Sequence, residues 1–84
     1  MKVVAPYVNI NGNSKKDLLD QVSKCHSSMN DVIENFSKCD FAHGRNSRDN
    51  AHREELYQMR YELSNKLMEV QDVFLKLYNE INNQ

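Results

Sequence analysis

The chain has 84 residues, 39% of them hydrophobic, with eleven Lys and Arg set against twelve Asp and Glu for a formal net charge of −1. That length leaves room for one small domain, and the apolar content is too high for a disordered chain. The charge balance argues against nucleic acid as a partner and against an acidic mimic of it.

No apolar run approaches the eighteen or so residues needed to cross a bilayer. The opening MKVVAPYVNI lacks the length and cleavage pattern of a signal peptide, so a cytoplasmic protein with no membrane partner is expected. Cys25 and Cys39 stand fourteen positions apart on one predicted helix, roughly 21 Å apart. That is well beyond the ~7 Å Cα limit of a disulfide, so both are read as reduced, partly buried thiols.

Residues 1–13 are read as an extended arm and turn. Val3, Val4, Tyr7 and Val8 favour extended backbone, but Pro6 cannot donate to a ladder and the chain offers no second strand. The arm can pair with its copy across a two-fold axis, or it can lie across the helices. Asn11-Gly12-Asn13 signals a turn. Ser14 then stands where its hydroxyl can accept from the Asp17 amide, with Asp17 placed to reach back as a variant capping box.

A first helix is predicted over 14–39. Leu18, Val22, Cys25, Met29, Val32, Phe36 and Cys39 alternate steps of four and three, a heptad seam with Leu19, His26 and Ile33 as a second row beside it. Residues 40–49 lose the periodicity and gain Gly44, Asn46 and Ser47, so they form a loop, with Gly44 suited to a left-handed position and Phe41 folding back over the hairpin end. Ser47, Asp49 or Asn50 can cap the next helix. So short a connection makes the two helices antiparallel neighbours.

The second helix is predicted over 50–82. Leu56, Met59, Leu63, Leu67, Val70, Phe74, Leu77 and Ile81 form its main seam, and Tyr57, Tyr61, Met68, Leu75 and Tyr78 a flanking ridge. Two ridges on one helix imply two neighbours. The expected fold class is therefore all-α: a two-helix hairpin with an extended arm, associating as a homodimer or higher oligomer into a helical bundle. Leu63, Leu67, Val70, Phe74, Leu77, Tyr61, Met68, Leu75 and Tyr78 are the candidate interface residues. The second helix is about two turns longer than the first, so its C-terminal end needs the arm or a partner.

Candidate chemistry gathers at the hairpin tip. His43, Gly44, Arg45, Arg48, His52 and Arg53, with Tyr57 one turn on, lie beside the positive end of a helix dipole, where a phosphate or carboxylate can bind. Asp40, Asp49, Glu54 and Glu55 in the same stretch favour a solvated tip with internal ion pairs instead. Arg53, Arg60 and Tyr57 fall on neighbouring turns and could clamp an aromatic group. Cys39, His43 and His52 lack the second half of a zinc site, and no metal or cofactor is expected. With no phosphate loop, nucleophile elbow or metal-binding helix motif, the chain is not expected to be an enzyme.

At Ile10-Asn11-Gly12-Asn13-Ser14 followed by Leu18-Leu19, and again at His43-Gly44-Arg45, the chain resembles small phage and prophage helical-hairpin proteins. Those have an I-N-G-T-S opening, a long helix, an H-G-R-D loop and a second long helix. Asn13 replaces the usual Thr, Asn46 the usual Asp, and the aromatic residues after the loop motif are missing. The resemblance implies a phage-encoded inhibitor acting on a host protein, or a sponge for a small phosphorylated signalling ligand. A structural assembly adaptor is the third reading.

Overall fold

The computed structural model describes residues 1–8, 14–40 and 44–84. Two helices, α1 (Lys15–Ser37) and α2 (Asn50–Asn82), pack side by side, with a one-turn 3₁₀ helix, Gly44–Asn46, between them. Among the described residues there is no strand. The expectations placed on Asn9–Asn13, Phe41 and His43 lie outside the described residues.

Capping fixes where both helices begin. The Ser14 hydroxyl accepts from the Asp17 amide at 3.1 Å, and the Asp49 carboxylate accepts from the His52 amide at 2.8 Å, each satisfying an amide that has no partner within its helix. Gly44 opens the 3₁₀ turn, a right-handed conformation, so the left-handed role expected of it is not used. The Asn46 side-chain amide donates to the Asp40 carbonyl at 2.7 Å and ties the start of the loop to its middle.

Cross-helix bonds set the register. Gln71 donates to Asn30 at mid-hairpin, Arg60 reaches the carbonyls of Ser37 and Cys39, and the Lys15 ammonium reaches the Gln84 carbonyl. These pairs make the helices antiparallel. They also put the N-terminus of α1 level with the C-terminus of α2. The surplus length of α2, at 33 residues against 23, therefore projects at its N-terminal end and not at the C-terminal end as length alone suggested.

The arm occupies the C-terminal end. Gln84 holds it with both atoms of its side-chain amide: Oε1 accepts from Val8 N–H at 2.9 Å and Nε2 donates to Pro6 O at 2.7 Å. The amino terminus lies 3.8 Å from Glu69, so residues 1–8 run beside the last four turns of α2. Val3, Ala5 and Val8 are half-buried while Val4 and Tyr7 stay exposed. Val73, turned away from α1, is half-buried too, which marks the side on which the arm lies. Within the single chain the arm lies along the C-terminal part of α2.

The seam between the helices differs from the predicted one. On α1 Leu18 of the predicted seam is half-buried together with the row Leu19, Val22, His26, Met29, Ile33 and Phe36, whereas Cys25 and Val32, and Cys39 beyond the helix end, are exposed. Both cysteines are free thiols on the surface, not partly buried ones. On α2 the row facing α1 is Leu56, Arg60, Ser64, Leu67, Gln71, Phe74 and Tyr78. Arg60, Ser64 and Gln71 are long or small polar residues that fit a shallow interface, burying their stems while their polar ends bond across it or reach water.

That rotation leaves an apolar ridge on each side of α2. Met59, Leu63 and Val70 are exposed on one side, and Tyr57, Tyr61, Met68 and Leu75 on the other. Ile81 alone among the described residues is fully buried. The body measures 59 × 22 × 16 Å with a radius of gyration of 17.9 Å, against about 12 Å for a compact domain of this length. It exposes 6428 Å², where a compact monomer of 9.9 kDa exposes about 5,200 Å².

Candidate functional site: two faces of the hairpin

Successive helix residues turn by about 100°, and in an antiparallel pair the same sense of rotation leads to the same face of the hairpin. One face, here the tyrosine face, joins Tyr57, Tyr61, Met68 and Leu75 of α2 to Ser23, Asn30 and Ser37 of α1. The opposite face, here the aliphatic face, joins Met59, Leu63 and Val70 to Cys25 and Val32. Clefts on the first confirm the pairing: one of about 170 Å³ is lined by Ser23, His26, Leu75 and Tyr78. Another, of about 340 Å³, lies between Ile33, Phe36, Ser37, Tyr57, Arg60, Tyr61 and Ser64.

Arg60 sits at the floor of the larger cleft. Its guanidinium lies 4.9 Å from the centroid of the Phe36 ring and donates to Cys39 O at 2.9 Å and Ser37 O at 3.3 Å. It thus caps the carbonyl end of α1 from the neighbouring helix, a favourable place for a cation. Arg53 stacks 5.6 Å from the Tyr57 ring centroid and donates to the Tyr57 hydroxyl at 3.4 Å, so the expected neighbourhood of Arg53, Tyr57 and Arg60 exists as one rim and floor. The cleft volume falls at the low end of the range for small-molecule sites.

At the hairpin tip the amides that open α2 already have a partner from the chain itself. Asp49 places its own carboxylate on the amides that open α2, where an incoming anion would have to sit. His52 Nδ1 accepts from the Arg48 amide at 3.0 Å, which leaves Nε2 to carry the proton of the neutral ring. Arg45 and Arg48 are exposed, and Gly44 lies in the 3₁₀ turn. Among the described residues no group of three His, Cys, Asp or Glu is placed to hold a metal.

Of the nine candidate interface residues, Leu67, Phe74, Leu77 and Tyr78 are half-buried within the chain, and Leu63, Val70, Tyr61, Met68 and Leu75 remain exposed. The feature that sequence reasoning missed is the division of the exposed set into two faces. Its signal was the polar row Arg60, Ser64 and Gln71 running between them. No family model, curated protein or solved structure matches the chain. Among the described residues no helix is long and apolar enough to cross a membrane.

Proposed function

We propose that this chain is a non-enzymatic, oligomeric binding protein that works by protein–protein contact, as a phage-encoded inhibitor of a host defence factor. The observation that supports it is the pair of exposed apolar faces on a hairpin in which, among the described residues, one side chain is fully buried. Exposed apolar patches on small proteins mark interaction surfaces, and tyrosines are enriched where partners meet. The tyrosine face is the partner-binding one, because it combines aromatic rings, two clefts and hydrogen-bonding Ser and Asn side chains.

The test is expression of the full chain in a bacterial host that carries a phage-defence system. Restored plaque formation, lost in Tyr61→Glu with helix content intact, supports the reading. Equal plaque counts for the wild type and an empty vector contradict it.

A second reading is favoured by the cleft over Arg60: a sponge for a small phosphorylated ligand with a planar group, held against Tyr57 and Tyr61 with Arg53 at the rim. Thermal stabilisation by a panel of nucleotides and cyclic dinucleotides, abolished in Tyr57→Ala, would support that reading over the first. No shift with any of them removes it.

A further inference from the structure

We infer that the aliphatic face, carrying Val32, Cys25, Met59, Leu63 and Val70, is where a second copy of this chain docks, leaving both tyrosine faces free. This deepens the oligomeric reading above by naming the surface and its symmetry.

Three observations carry it. The first is area. The chain exposes about 1,200 Å² more than a compact monomer of its mass, and a stable dimer buries about 800 Å² per partner. One face of this hairpin can therefore supply a stable interface and still leave the other exposed.

The second is the charge pattern on α1. Along the border of this face run Leu18, Gln21, Cys25, Ser28, Val32 and Asn35, alternating steps of three and four over about five helical turns, with Cys39 continuing the spacing just past the helix end. All but Leu18 are exposed. In a chain whose residues are 27% charged, Lys15, Lys16, Asp20, Lys24, Asp31 and Glu34 of α1 fall elsewhere on the helix, and Asp17 alone stands on that side, in the first turn. A stripe that is exposed, uncharged and spaced like a heptad seam is one that another helix covers. The tyrosine face has no such border.

The third is shape. Val32 follows Asn30, which bonds to Gln71, so it lies level with Val70 near the middle of the patch. Met59 and Leu63 stand to one side of that level and the small residues Cys25 and Ser28 to the other. A two-fold axis through the Val32 level sets the large end of each copy onto the small end of the other, as an isologous contact requires. The arm along the last turns of α2 bounds the patch at its far end. The product is a four-helix bundle whose tyrosine faces point in opposite directions, so each dimer carries two separate binding faces.

The experiment is sedimentation velocity of the full chain from one to one hundred micromolar. The wild type sediments with the mass of two chains. Val32→Glu and Leu63→Glu weaken the dimer roughly a hundredfold, because each would bury an uncompensated carboxylate, and circular dichroism shows their helices retained. Tyr61→Glu remains a dimer. Should a glutamate variant fail to fold, Val32→Cys with Cys25→Ser and Cys39→Ser decides, because a residue at the axis meets its own copy and oxidation links the chains. No cross-link overturns the inference. A dimer broken by Tyr61→Glu but not by Val32→Glu overturns it while leaving the oligomeric reading in place, and a wild-type chain of single mass at every concentration removes both.

Discussion

The guanidinium of Arg60 on α2 covers the Phe36 ring of α1 at 4.9 Å while its N–H groups hold the carbonyls of Ser37 and Cys39. One side chain thus takes the Ser37 carbonyl, the last of α1, and the Cys39 carbonyl beyond it, and adds to the register that Gln71–Asn30 and Lys15–Gln84 also set. Arg60→Ala is expected to cost about 1–3 kcal/mol, from the charged hydrogen bonds and the ring contact together. Arg60→Lys keeps the charge but not the planar fork, so it recovers only part of that. Urea midpoints of the three proteins at one chain concentration check both.

Gln71 and Asn30 form the polar link at mid-hairpin. A polar pair in an otherwise apolar seam sets register more than stability. Either single substitution to Leu is expected to lower stability by about 0.5–1.5 kcal/mol. The double substitution should be neutral or stabilising, while broadening the cross-helix NMR contacts through loss of a unique register. A double-mutant cycle reads the coupling directly.

Ile81, in the last turn of α2, is fully buried. Ile81→Ala is expected to cost about 2–5 kcal/mol, a large share of the stability of so small a domain. Gln84→Ala frees the arm from its two amide contacts. Hydrogen exchange at the Val8 amide should then rise with helix content unchanged.

The Lys76 ammonium is held above its ordinary pKa by its hydrogen bond to the Asp72 carboxylate and by that charge, one turn back at 2.8 Å. A folded-state value above the unfolded one stabilises the native chain at pH values below the unfolded value. The benefit is lost as pH rises through the folded value. Both groups are exposed, so Lys76→Met should leave the urea midpoint at neutral pH unchanged within error. The checkable outcome is spectroscopic: in Asp72→Asn the NMR titration of Lys76 moves down towards an ordinary lysine.

The helix starts were legible because caps act locally. Ser14 and Asp49 sit in front of long runs without Gly or Pro, and their side chains bond amides three residues on. The seam was legible in part: Leu18, Val22, Met29 and Phe36 of α1 and Leu56, Leu67, Phe74, Leu77 and Ile81 of α2 are covered as the spacing predicts, while Cys25, Val32, Met59, Leu63 and Val70 are not. On α1 the rows through Cys25 and Val32 and through His26 and Ile33 share the same three-and-four spacing, and apolarity favours the first. The structure uses the second, because Arg60, Ser64 and Gln71 of α2 turn inward and rotate both helices. Apolar periodicity cannot select a row whose members bond across an interface with polar ends. At the tip Asp49 was legible both as a charge and as a candidate cap, but which of Ser47, Asp49 and Asn50 bonds the opening amides depends on backbone geometry that residue type does not give.

The measurement that bears most directly on this account is the mass of the wild-type chain in solution, by light scattering or sedimentation equilibrium over two decades of concentration. The account predicts a species of two chains or a multiple of two that gives way to one chain only on strong dilution. A stable, helical species of 9.9 kDa throughout that range would contradict it.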